Sequence, residues 1–276
     1  IQVGLNDIER VTDPNNPLSQ ELRQVESLGV FYIEFNLNQP PFDDVKVRQA
    51  FNHALDRARI INVVYKKTRP VAWGIIPPSM PNYDNPDLKP LEFDPDLAQE
   101  LIAESKYGDV SEFPDITFQV LGAGGATGRV IEAIVASYKD NLGVEIEVQQ
   151  TDWATFLTDL NRPDNTNLIW GGEAGWIADY PDPHNFLDVL FRCGSNQNHS
   201  HYCNPEVDRL LDEAAREQDN AKRERIYRQV EQIIVDEAPW VPLFFEVVYW
   251  LVKPYVKDAY LPPMIMPKFQ HNYLER

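Results

Sequence analysis

The sequence predicts an α/β fold with parallel strands at its centre, and three observations carry that reading. Between residues 116 and 170, period-two apolar alternation and helical spacing take turns in the order strand, helix, strand, helix, strand. That order implies parallel pairing with right-handed crossovers. The junctions carry fitting residues: a glycine-rich loop at 122–128, Gly143 and Asp152. Finally, 43% of the 276 residues are hydrophobic and 11% aromatic, enough for a sizeable core in one large or two ordinary domains.

Taken in order, residues 1–30 are polar and weakly periodic and read as too poor in apolar surface to pack on their own. Val30–Asn36 reads as a strand. Pro40-Pro41-Phe42-Asp43 ends it and opens a helix, with Val47, Ala50, Phe51, Ala54, Leu55 and Ala58 at helical spacing and Ile60, Ile61, Val63 and Val64 following. Residues 68–92 are Pro-rich, aperiodic and contain Trp73; a long ordered loop in a compact protein is often functional.

Asp94-Pro95 is a helix start, an Asp cap before Pro at the first helical position. Ile116, Phe118 and Val120 mark a strand, and Thr127 is placed as the cap of the helix that Gly143 stops. Val144, Ile146 and Val148 mark the next strand, Asp152 caps a short helix, and Leu168–Trp170 is the third strand. Asn185–Phe191, the stretch after Asn204-Pro205, and Ile226–Ile234 read as helices, and Trp240–Val252 as extended chain.

Formal net charge is −18. Nucleic acid and anionic lipid both need clustered Lys and Arg, so neither is expected as a partner. The most apolar stretch, Ala238–Val252, holds Pro239, Pro242 and Glu246 and is too short to span a bilayer. With Ile1 first and no basic-then-apolar leader, the chain reads as a mature protein or a fragment of a longer one.

The candidate site is Trp176-Ile177-Ala178-Asp179-Tyr180-Pro181-Asp182-Pro183, an irregular loop after a buried strand end. Asp179 is read as facing a ligand and Trp176 as walling its pocket; the alternative is a turn whose aspartates only cap the next helix. The Gly122–Gly128 loop lacks the Lys-Ser/Thr ending of a P-loop and the spacing of a dinucleotide site. It reads as a tight strand-to-helix turn, and the alternative is a loop that offers backbone N–H groups, Gly124 among them, to a ligand. Cys193 and Cys203 fit either one small disulfide loop or free thiols, and a zinc site with His199 and His201 matches no common spacing. No metal or cofactor is called for. Neither a nucleophile elbow nor an H-E-x-x-H motif is present. A secreted hydrolase using paired carboxylates stays open as the alternative.

Several segments together resemble the extracellular solute-binding proteins of family 5, the oligopeptide/dipeptide-binding components of ABC importers. They are Phe35-Asn36, Pro41–Ala50, Ala54-Leu55-Asp56-Arg57, Ile76-Pro77-Pro78, Phe93-Asp94-Pro95, Trp176–Pro183, Asn204-Pro205, Asp208–Leu211, and Asp236–Pro239 with Pro242-Leu243, in family order over almost the whole chain. The resemblance implies a type II-like periplasmic-binding lobe, a mixed or parallel sheet flanked by helices, with segments of a second lobe. Residues 1–35 would be a segment of the missing N-terminal lobe with the first hinge strand. Residues 36–245 would be the ligand-binding lobe, and 246–276 the second hinge strand and the return.

It also implies that Asp179 takes a peptide α-amino group, that Trp176 and Trp153 line side-chain pockets, and that backbone at Ile177 and Ala178 pairs with an extended peptide. Cys193 and Cys203 match a disulfide of some members. Two departures bear on the ligand. The arginine that dipeptide binders carry in the glycine loop is missing, with Arg129 only at its end, and Glu173 is acidic where oligopeptide binders carry a basic residue. A longer peptide, a cationic ligand or an oligosaccharide fits these departures better than a dipeptide. The implied partners are a small solute and an ABC permease. The implied state is a monomer, periplasmic or extracellular, held by a lipid anchor or signal region outside this chain. Alone, it is expected to bind weakly or not at all.

Overall fold

The computed structural model describes residues 1–122, 124–160, 162, 168–170 (backbone only), 175–264 and 271–275. One mixed sheet runs through the chain, with helices on both faces. The elements before the sheet's parallel part are α1 (Leu5–Thr12), β1 (Leu22–Phe35), α2 (Val45–His53), α3 (Arg57–Val64) and α4 (Pro95–Glu104). The parallel part holds β2 (Ile116–Leu121), α5 (Arg129–Leu142), β3 (Ile146–Thr151), α6 (Trp153–Leu160) and β4 (Leu168–Trp170). Then come β5 (Gly175–Ile177), α7 (His184–Phe191), α8 (Pro205–Arg216), α9 (Asn220–Glu237) and β6 (Trp240–Leu251), with a small β7–β8 ribbon (Val256–Lys257, Tyr273–Leu274) last.

β2 pairs in parallel with both β3 and β4, as the alternating pattern predicts. β4 and β5 pair antiparallel with successive parts of β1, at Glu34–Phe35 and at Gly29–Phe31. β6 pairs antiparallel with β1 from Leu22↔Leu251 to Glu34↔Trp240. Because Val30 and Glu34 are each matched by both partners, β6 lies on the opposite edge of β1 from β4 and β5.

Side-chain alternation along β1 sorts the core into two halves. Ile33 and Phe35 join α2–α5 on one face, and Leu28, Val30 and Tyr32 join α7–α9 on the other. The caps follow the sequence at several points. Asp94 accepts the Leu97 amide, Asp152 those of Ala154 and Thr155, and Asn204 that of Glu206. Gly143 closes α5 in the left-handed region at φ +74°.

Three expectations are corrected. The first strand starts at Leu22 and not at Val30: the first thirty residues pack through β6 and not on their own, with Ile8 and Val11 of α1 buried, because β6 supplies a partner for polar residues that show no pattern of their own. The apolar run from Val47 is two helices, broken where Asp56 caps α3 by accepting the Arg59 amide. The residue before α5 is Gly128, at φ +87° and without a side-chain cap, so Thr127 does not cap that helix.

Candidate functional site

Parallel pairing puts the C-terminal ends of β2, β3 and β4 along one edge of the sheet, where ligands commonly sit in α/β folds. Two expected site elements therefore gather there: the glycine-rich loop after β2 and Trp153 after β3. Trp153 opens α6 with 58% of its surface exposed and stacks on Phe156 at 6.0 Å between centroids. Glu173 lies outside the described residues.

The glycine loop is braced by Gln150 of β3. Its Oε1 accepts the Gly124 amide at 3.0 Å and its Nε2 donates to the Gly125 carbonyl at 2.8 Å. A Cβ on Gly122 would collide with Gln150 Oε1, so a glycine there lets the glutamine cross. The Gly124 N–H, expected to be on offer to a ligand, is committed to Gln150, although the residue's surface is exposed.

β5 lies against β1 through Gly29↔Ile177 and Val30↔Trp176, and among the described residues no other strand pairs with it. The Ala178 amide continues this edge by donating to the Leu28 carbonyl at 2.8 Å, and the Ala178 side chain is fully buried. The loop beyond β5 hangs on Asn185, in the first turn of α7 and 1% exposed. Its Oδ1 accepts both the Trp176 indole N–H and the Asp179 amide, each at 3.0 Å. Its Nδ2 reaches Asp179 Oδ2 at 3.4 Å. One buried amide thus fixes the half-buried indole and aims the exposed Asp179 carboxylate, which has no cationic partner among the described residues.

The two aspartates of this loop divide the two readings between them. Asp182 accepts the His184 amide at 2.9 Å and a two-pronged pair from Arg223 at 2.7 and 2.8 Å. Burial pushes its carboxyl up, but the Arg223 guanidinium and the His184 amide outweigh that and hold it below the usual carboxylate range. Asp182 is therefore a structural tie to α9, and Asp179 is the one presented to solvent. Asn185 was legible in sequence only as a helix residue; nothing in its spacing marks it as buried.

Cys193 and Cys203 form a disulfide, Cα–Cα 4.6 Å, which removes them as zinc ligands. The loop it closes buries Asn198 and Ser200, and the Ser200 carbonyl accepts the Leu37 amide at the end of β1.

The family model for bacterial extracellular solute-binding proteins, family 5 (middle), matches residues 2–198. The chain belongs to the family 5 solute-binding proteins. This family 5 chain is 32% identical to heme-binding protein A of Haemophilus influenzae, over 91% of its own length and 45% of the relative's. It is 29% identical to the oligopeptide-binding protein OppA of Bacillus subtilis, over 87% of its length and 43% of the relative's. Among solved structures, the periplasmic binding protein DppA of Helicobacter pylori in complex with the peptide STSA superposes with a TM-score of 0.80 at 27% identity. That match covers 99% of this chain and 51% of that one, and it bears out the type II-like α/β fold. The family 5 chain spans about half the length of the curated relatives it matches.

Proposed function

We propose that this chain forms one wall of a cleft that captures a peptide by its α-amino end, as the solute receptor of an ABC importer acting outside the cytoplasmic membrane. The observation that carries the reading is the Asp179 carboxylate, exposed and free of any cation among the described residues, beside an indole fixed by the same buried asparagine. An ammonium group placed there gains a charge-assisted hydrogen bond, and the apolar indole excludes water from one side of it. The open edge of β5 at Trp176–Ile177 lets an extended peptide add as a strand. Trp153, exposed at the same edge of the sheet, and the surface of Gly124 would bound the ligand's side chains.

Relatives named for peptide binding support the ligand class, and a relative named as periplasmic supports the location. Residues 1–35 and 246–276 would belong with a second lobe. The paired β1 and β6 would then be the strands that let two lobes close over solute, and a permease would receive it.

Nitrogen-15 NMR of the chain tests this directly, because weak binding is readable there. An unblocked tripeptide should shift the Trp176 indole and Asp179 amide signals, and its N-acetylated form should not. Equal shifts with both forms would retire the amine-binding role of Asp179.

A further inference from the structure

The geometry points to a second carboxylate pocket, built on Glu246, that takes the ammonium or guanidinium of a basic ligand side chain. It rests on the peptide reading for the source of that side chain. Glu246 lies in β6 between Phe245 and Val247, opposite the irregularity of β1 between Glu26 and Val30. Across β1 from it is Ile177 of β5, paired with Gly29.

A Cβ on Gly29 would stand 3.2 Å from Glu246 Cβ, 3.3 Å from its Oε2 and 3.3 Å from Ile177 Cγ1. The glycine therefore makes the seat in which the carboxylate lies. Around it opens a pocket of about 530 Å3, counting space open to solvent, walled by Ile177, Val248, Trp250, Leu261, Pro262 and Met264. The segment carrying the last three is pinned to β1 by the Leu28 amide and Ser27 hydroxyl, which both donate to the Pro263 carbonyl at 2.6 and 3.1 Å.

Glu246 is half-buried and its carboxylate makes no hydrogen bond or ion pair among the described residues. A carboxylate partly withdrawn from water and left unpaired is costly, and a cation entering the pocket relieves that cost. The apolar walls suit the methylene stem of a Lys or Arg, and Trp250, which also lines the pocket, supplies an aromatic ring near its charged head. In a chain of net charge −18, a cationic ligand also gains from long-range attraction.

The test tracks the Trp250 indole N–H signal, identified by its loss in Trp250→Phe. n-Butylammonium should shift it, 1-butanol at the same concentration should not, and Glu246→Gln should weaken the ammonium response about tenfold. Gly29→Ala, whose methyl crowds the Glu246 side chain and Ile177, should weaken it as well. An equal response to the alcohol, or an ammonium response that survives Glu246→Gln, overturns the assignment.

Tripeptides carrying lysine or norleucine at one position separate the two readings. A preference of about tenfold for lysine that vanishes in Glu246→Gln supports the pocket. Peptides that bind without that preference leave the peptide reading standing and overturn the Glu246 pocket. An ammonium ion that saturates the Trp250 signal while no peptide shifts any signal supports the pocket and overturns the peptide reading.

Discussion

Trp240 donates its indole N–H to Glu34 Oε1 across 3.0 Å, where β6 meets the end of β1. Glu34 is 2% exposed, so burial pushes its carboxyl up to about 8, against the Trp240 indole and the Ser200 amide that lower it. In the unfolded chain the group ionises near 4.5. Between those two values the folded state holds a proton that the unfolded state has released. Stability should therefore fall as pH rises from about 4.5 to about 8 and level off above, with a slope approaching 1.4 kcal/mol per pH unit from this group. Urea melts across that range should show the slope, and Glu34→Gln should flatten it.

Asn185 supplies the acceptor for two donors that have no other among the described residues, the Trp176 indole and the Asp179 amide. Asn185→Ala should cost about 2 kcal/mol, since donors left unsatisfied forfeit their desolvation energy. The accompanying signature is a red shift and easier quenching of Trp176 fluorescence. A variant with wild-type stability and an unmoved Trp176 would show that the asparagine does not fix the loop.

Glu231 of α9 is the anchor of the long irregular segment at 68–92. It is 2% exposed and accepts from the Ile75 and Ile76 amides, the Tyr83 hydroxyl and Asn85 Nδ2. Glu231→Gln puts an amide donor where four donors converge and should destabilise by about 2–4 kcal/mol. Limited proteolysis should then cut between residues 68 and 92 well before it cuts the helices.

The Cys193–Cys203 bridge closes a loop ten residues apart in sequence, which holds Ser200 against the end of β1. Replacing both cysteines by serine should cost about 2–3 kcal/mol, read as a lowered urea midpoint. The same loss should accompany reduction of the wild type and be absent on reducing the double variant.

Much of this architecture was legible where local chemistry decides local structure. Asp94-Pro95, Asp152 and Asn204 act as caps because a short oxygen-bearing side chain meets free amides wherever a helix begins. β2 and β3 were legible because their alternation reports two faces of different burial. The start of β1 was not, because Arg23, Gln24 and Glu26 gain strand structure only from β6, far along the chain. Asn185, Glu231 and Glu34 escaped for a related reason. A polar residue on a helix or strand reads as solvated unless its donors are known, and here the donors come from distant segments. The loop that carries Asp179 was singled out by the motif it shares with the family, and Glu246 had no such motif around it.

The long pairing of β1 with β6 also sets the timing of synthesis. β1 emerges from the ribosome roughly two hundred residues before the strand that completes it. At about 5–20 residues per second, it waits on the order of ten seconds or more with a bare edge. A nascent chain in that position cannot close its sheet early, so it stays threadable while it is still being made. A holdase that covers β1 during that interval would meet it at its most exposed.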